Sequence, residues 1–279
     1  MKLKFEKHEL ALAGAVLALL AVALVAPAVA QSAQHHQFAD TRAWGWLPCA
    51  ADVLSNLPFL LWGMLGLGLL ARQPRREVHR VEATSRALMG LFFAGLVITA
   101  FMSAFYHWQP DDAGLAFDRL GMVVAFAGLM GLAAAGRVSA RAGALLALAV
   151  LLLGPASIWV WSASGNVLPW AVLQFGGMLL VLCLAGLKPL PGGPAIRWGW
   201  VIVIYAITKG FEMADEAVFA ATSQLVSGHS LKHVVASCAA WPVVAALTTA
   251  LVTAPESSAE FASARRDRKP ARRSKQMAA

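Results

Sequence analysis

Charge is what this chain has least of. Only 14% of its 279 residues are Asp, Glu, Lys or Arg, and 59% are hydrophobic, whereas soluble domains carry roughly 25% charge. So few charges cannot clothe a water-facing surface on a chain this long, which excludes an ordinary soluble enzyme. Disorder is excluded too, because it needs low hydrophobicity and high charge. Cysteine is scarce: Cys49, Cys183 and Cys238 are too few for a disulfide scaffold or a cysteine-built metal cluster, and read as small packing groups. The formal charge of +8 invites a nucleic-acid reading, and the location of the basic residues decides against it.

What the chain has is long apolar runs. Eight are of the length a hydrocarbon core demands, about 20 residues: 10–30, 50–71, 86–107, 117–136, 142–161, 168–187, 198–216 and 229–252. No soluble domain fits between them. The first reads in two ways. Lys2, Lys4 and Lys7 precede an apolar stretch, and Ala28-Val29-Ala30 before Gln31 resembles a signal-peptidase site, so residues 1–30 are a signal peptide or a first transmembrane helix. Residues 31–49 follow as an extracytoplasmic loop, 50–252 as a seven-helix domain, and 253–279 as a basic, disordered tail. The expected fold is an all-α membrane bundle.

Alternating spans gather the basic residues on one side. Lys2, Lys4, Lys7, Arg72, Arg75, Arg76, Arg80, Arg86, Arg137, Arg141, Lys188 and Arg197 fall there, with seven more between Arg265 and Lys275. The opposite loops hold Arg42 and little else basic. The positive-inside rule therefore predicts a cytoplasmic C-terminus, and the basic tail reads as solvated or lipid-headgroup-touching rather than nucleic-acid-binding.

Ionisable groups inside spans are costly and point to function. They cluster at span ends: Asp52, Ser55 and Asn56 open one, Tyr106 and His107 close another, and Asp118 and Arg119 open the next. Lys209, Glu212, Asp215 and Glu216 close a fourth, and His229, Lys232 and His233 open the last. In the alternating topology all these ends are extracytoplasmic. At about 1.5 Å per residue, His107 lies roughly 32 Å along its helix from Arg86, and Asp118 roughly 28 Å from Arg137. One shared site near the outer membrane boundary accounts for that common level.

His229 and His233 are four apart and share a helix face, as two ligands of one metal would. With His107 they make three imidazoles, which leave a fourth position open on tetrahedral zinc. Ser103 sits one turn from His107. Glu212 and Lys209 also have the spacing of a simple i, i+3 neutralising pair. His35 and His36 read as exposed loop residues, and His8 and His79 lie on the cytoplasmic side.

The ordered set Ser103-Ala104-Phe105-Tyr106-His107, Asp118, and His229-Ser230-Leu231-Lys232-His233 resembles the alkaline ceramidase family. Asp52-Val53-Leu54-Ser55-Asn56-Leu57-Pro58 resembles that family's opening motif. The family belongs to a wider group of seven-span membrane proteins that includes the progestin and adipoQ receptors, and the likeness covers about residues 38–252. The resemblance implies zinc held by His107, His229 and His233, with Ser103 and Asp118 as catalytic residues. The activity it implies is hydrolysis of an N-acyl lipid such as ceramide to a fatty acid and a sphingoid base. Asp52, Ser55, Asn56, Glu212 and Asp215 are the residues expected to orient the histidines from behind.

Two departures narrow the expectation. Eukaryotic members carry an acidic N-terminal cluster for calcium, but residues 38–49 hold one carboxylate, Asp40, which makes calcium doubtful. An acid usually follows the family's aspartate, and here Arg119 does. The chain looks like a prokaryotic branch, which implies a bacterial inner membrane and a lipid substrate entering from the bilayer. Three rivals stay open. An intramembrane metalloprotease would commonly use His-Glu-x-x-His, but Ser230 follows His229. A non-enzymatic receptor or sensor would hold zinc structurally. A transporter would need paired broken helices in two related halves, which the sequence does not display.

Overall fold

A computed structural model describes residues 6–73 and 80–252. The basic tail at 253–279 and Lys2, Lys4, Arg75, Arg76 and His79 lie outside the described residues. Among those described the chain is all-α, with two isolated β-bridges and no strand. Seven helices are long and apolar enough to cross a membrane, and the protein is a multi-pass membrane protein.

The spans begin with α1 (Lys7–Val25), followed by the short α2 (Ala50–Leu54) and α3 (Leu57–Arg72), which together make one crossing. Next come α4 (Arg80–Trp108), α5 (Asp112–Arg137) and α6 (Ala140–Ser164). One further crossing is built from α7 (Leu168–Ala171), a π-helical turn at Val172–Gly176, and α8 (Gly177–Ala185). Then come α9 (Trp198–Met213), α10 (Asp215–Ala221) and α11 (Gly228–Ser237), which runs through one 3₁₀ turn into α12 (Trp241–Val252).

One expected span differs. The run at 198–216 stops as a helix at Met213, because Ala214 leaves helical geometry at φ −105°, ψ 24°. The 16 residues of α9 rise about 24 Å, short of a full crossing. The physical reason lies one residue on. The Asp215 carboxylate accepts the backbone N–H groups of Ala39 (3.0 Å) and His229 (2.7 Å). The chain breaks where that carboxylate is needed to tie three segments together.

The interior is centred on α5, the most enclosed of the spans. Its small residues let α4 come close: a Cβ on Gly128 would stand 2.3 Å from the Phe92 backbone nitrogen. This small-residue contact is how helices associate where lipid removes the hydrophobic drive. Phe93 and Leu132 are fully buried there, while Leu61, Met64, Phe101 and Leu152 face outward, as lipid-contacting residues do.

The far end of the bundle is closed by basic residues. Arg86 donates to the Leu70 carbonyl at the end of α3 (2.5 Å), and Arg137 donates to the Leu187 carbonyl beyond α8. Arginines there satisfy carbonyls that a helix end leaves free. On α1, Glu9 is buried, accepts from Ser139 (2.6 Å) and pairs with Arg141. At the opposite end the segment after α1 pairs with the α6–α7 connection. Ala30 bridges Asn166, and Gln31 donates its backbone N–H to the Gly165 carbonyl (3.4 Å).

Candidate metal centre

Three imidazoles converge at the end of the bundle remote from Arg86 and Arg137. His107 closes α4, while His229 and His233 stand one turn apart on α11. One ring nitrogen from each lies within 4.8 Å of the others, so the group can hold a metal ion. His229 Nε2 and His107 Nε2 are 3.4 Å apart. Ligands at about 2.0–2.1 Å on a tetrahedral zinc would be separated by about 3.3–3.4 Å, so this edge already has the span such an ion demands.

The hydrogen bonds around the His233 ring also leave a lone pair free for a cation. The Ser55 hydroxyl has one proton and gives it to the Asp52 carbonyl (2.8 Å). It must therefore accept from His233 Nδ1, 2.7 Å away. That fixes the proton on Nδ1 and leaves His233 Nε2 bare, the arrangement usual for a metal-binding histidine. His229 Nε2 differs: its one lone pair accepts from the Lys232 ammonium at 2.9 Å, a bond that a bound metal ion would displace. His107 Nδ1 is buried without a hydrogen-bond partner.

Local sequence explains the positions. Pro58 in the first turn of α3 cannot donate a backbone hydrogen bond, so α2 and α3 part at Ser55 and Asn56. At that break the Asp52 carbonyl accepts from both Ser55 Oγ (2.8 Å) and Asn56 Nδ2 (2.9 Å), and Ser55 Oγ also meets His233. Ser227 caps α11 by accepting the Ser230 N–H at 3.0 Å. Asp52, fully buried, accepts from Ser230 Oγ at 2.6 Å and so anchors that helix start. Gly228 lets α11 begin against the α9–α10 junction, where a Cβ would meet the Phe211 carbonyl at 2.5 Å.

The five residues expected behind the histidines therefore divide. Ser55 touches a histidine ring directly. Asp52 and Asp215 act on the backbone and cap of α11 rather than on an imidazole N–H. Asn56 braces the α2–α3 break. Glu212 reaches no ring: it bonds Lys209 at 2.5 Å and faces Lys232 at 3.6 Å, the neutralising pair that the spacing allowed, extended to a second lysine.

Some contacts were not legible beforehand. Phe38 from the 31–49 loop lies over the centre, its ring 4.8 Å from that of His107 and 4.5 Å from that of His229. His36, expected to be merely exposed, is half-buried and bonds the Tyr106 hydroxyl (3.0 Å) and Asp112 (3.1 Å). His35 is exposed but lines the mouth of the cavity below. The loop is braced by Asp40, whose buried carboxylate accepts from Arg42 Nε (2.8 Å) and Nη2 (2.7 Å). Those bonds hold the Asp40 carboxyl below the usual carboxylate range. Burial pushes the neighbouring Cys49 thiol up, away from reactivity.

Beside the histidines runs a cavity of about 420 Å³, within the roughly 300–1,000 Å³ of small-molecule sites. Phe59, Phe92, Leu96, Met122, Phe126 and Leu129 make its apolar body. Ser103, Asp118, His229 and His233 stand at its polar end. Ser103 is buried and interacts with the Asp118 carboxylate. The arrangement can polarise a group held at the histidines, move a proton at Asp118, and shelter an apolar chain. The chain matches no known family profile and no curated protein sequence.

Proposed function

We propose that this protein hydrolyses the amide bond of an N-acyl membrane lipid, ceramide or a relative, with zinc held by His107, His229 and His233. The observation that carries the reading is a three-histidine cluster, two of whose members, His229 and His233, line one largely apolar cavity together with Asp118 and Ser103. The donor set fits zinc: three neutral imidazoles, one with its tautomer fixed by Ser55, and no soft thiolate. The ordered motifs that resemble the alkaline ceramidase family support the same reading.

A zinc ion bound there supplies Lewis acidity that polarises a carbonyl and lowers the pKa of water towards 7. The chain's own residues do the rest. The apolar cavity holds the acyl chain and excludes bulk water, which fixes the amide near Asp118. Asp118 takes a proton from the attacking water as its oxygen bonds the amide carbon. Ser103 donates a hydrogen bond that steadies the Asp118 carboxylate or the oxygen gaining charge. The carbon–nitrogen bond breaks as Asp118 returns the proton to the leaving amine. No calcium is assigned, because the one carboxylate of residues 38–49, Asp40, is committed to Arg42.

Metal analysis and lipid turnover test this together. The purified chain should carry about one zinc, which His233→Ala should remove. The wild type should release fatty acid from at least one member of an N-acyl lipid panel. Zinc retained by His233→Ala would overturn the ligand set. Zinc-loaded protein that binds those lipids and releases nothing would instead make the chain a receptor or sensor.

A further inference from the structure

Arg119 is a permanent cation sealed inside the bundle. It is 3% exposed and makes no ion pair among the described residues. The faces of its guanidinium are covered, by Trp161 at 4.3 Å and Trp170 at 5.5 Å. Its edge is only part satisfied: Nη2 donates to Gln31 Oε1 at 2.8 Å, while Nη1 is buried with no acceptor. Gln31 Nε2 is also buried and unpartnered. Two neighbouring side chains therefore each leave one donor nitrogen unused, and both line the cavity beside the histidines.

Buried charges are ordinarily paired, and buried donors are ordinarily bonded. No carboxylate among the described residues comes within ion-pair distance of Arg119, and Glu212 is taken up by Lys209 and Lys232. Stacking on tryptophan accounts for the guanidinium faces and leaves its in-plane N–H groups wanting an oxygen. Gln31 is itself pinned by its backbone bond to Gly165, so the pair is prearranged. Gln31 also lines a second cavity of about 550 Å³, with His36 and Asp112.

We infer that Arg119 and Gln31 form a subsite for an anionic headgroup, a carboxylate, sulfonate or phosphate carried by the amide lipid. The inference rests on the hydrolase reading and deepens it. Arg119 directly follows Asp118, so an anion there sits beside the proton-transfer group, on the side of α6 and α7 rather than α11. The substrate's acyl chain runs into the apolar body, its amide faces Asp118, and a short acidic headgroup ends on Arg119 and Gln31. N-acyl amino acids have that shape, whereas a neutral ceramide leaves both donors empty.

The test is a competition inside one detergent micelle, with the zinc-loaded full chain and equal N-palmitoylglycine and N-palmitoylethanolamine. The wild type should favour the glycine conjugate by about tenfold or more, the usual gain from a charge-assisted hydrogen bond. Arg119→Gln should bring the ratio near one, and Gln31→Leu should lower it part of the way. Should Arg119→Gln not fold, Gln31→Leu reads the same ratio from the rim. A wild-type ratio near one, or one unchanged in the variants, overturns the subsite and leaves the hydrolase standing. If the wild type cleaves neither lipid, calorimetric binding of the two conjugates decides the subsite by the same ratio, while the hydrolase reading stands or falls with the wider N-acyl lipid panel. Palmitate binding that depends on Arg119, without such dependence for N-palmitoylglycine, would place a product carboxylate there and overturn the headgroup assignment.

Discussion

The α4–α5 side of the bundle and the α9–α11 side solve opposite problems. On the first, helices run 29 and 26 residues without a break and meet through small side chains. On the second, α9 stops after 16 residues, α10 lasts seven, and α11 starts on a serine cap braced by Asp52. Backbone groups inside a membrane must be satisfied within the protein. The broken side meets that demand with side chains: Asp215 takes two N–H groups, and Ser55 and Asn56 both donate to the Asp52 carbonyl before α3. Those same polar side chains fix the histidines. The unbroken side supplies rigidity and the two groups, Ser103 and Asp118, that need only a helix to place them.

The contrast breaks most visibly at Gly128. A valine there would force its Cβ into the Phe92 backbone, so the two helices would have to move apart. Gly128→Val should cost about 3 kcal/mol or more, the upper part of the overpacking range. Size-exclusion and thermal melting should show lost monodisperse protein. Melting like wild type would mean that α4 and α5 are not held by close approach.

Next in size is Asp118→Asn, on the rigid side but within the site. It keeps shape and hydrogen bonding and removes the base. Amide hydrolysis should fall by about 10²–10⁴-fold, the usual contribution of a positioned base, with zinc content unchanged. Equal turnover would refute the role given to Asp118. Lost zinc would instead move the carboxylate into the metal's own ligand set.

The division of labour also explains what the sequence disclosed. Long apolar runs with polar ends revealed the bundle, and His107, Asp118, His229 and His233 announced themselves because ionisable groups are rare in spans. The i, i+4 spacing placed two rings on one face. Three things stayed hidden. The break at Ala214 arises from a carboxylate that binds segments far away in the chain, which no hydropathy pattern encodes. Phe38 and His36 sit in a loop without periodicity, so only tertiary contact shows them over the centre. Arg119 read as a departure from a motif, and its stacking between Trp161 and Trp170 needed three helices to be brought together.

Ser55→Ala sharpens the comparison on the broken side. It removes the acceptor that holds the His233 proton on Nδ1, while α2, α3 and α11 keep their other bonds. Metal affinity should drop by about 10–100-fold, as for other groups that orient a ligating imidazole, and the melting temperature without metal should barely move. A chelator titration separates the two. Unchanged affinity would show that His233 is oriented by packing alone.

The smallest effect belongs to the loop over the centre. Asp40 is ionised in the folded protein and held by Arg42, so its carboxyl titrates below its ordinary value of about 3.9. A depressed folded value means the bond stabilises the loop above that ordinary value and is lost as pH falls through the folded one. Asp40→Asn should therefore melt slightly below wild type near pH 6, and the gap should close towards pH 3. Because Phe38 rides on the same loop, histidine protection from a water-soluble alkylating reagent should weaken in parallel. A gap that widens on acidification would mean that Asp40 is protonated in the folded state, and that the loop is held over the histidines by its other contacts, those of Asp215 and His36 among them.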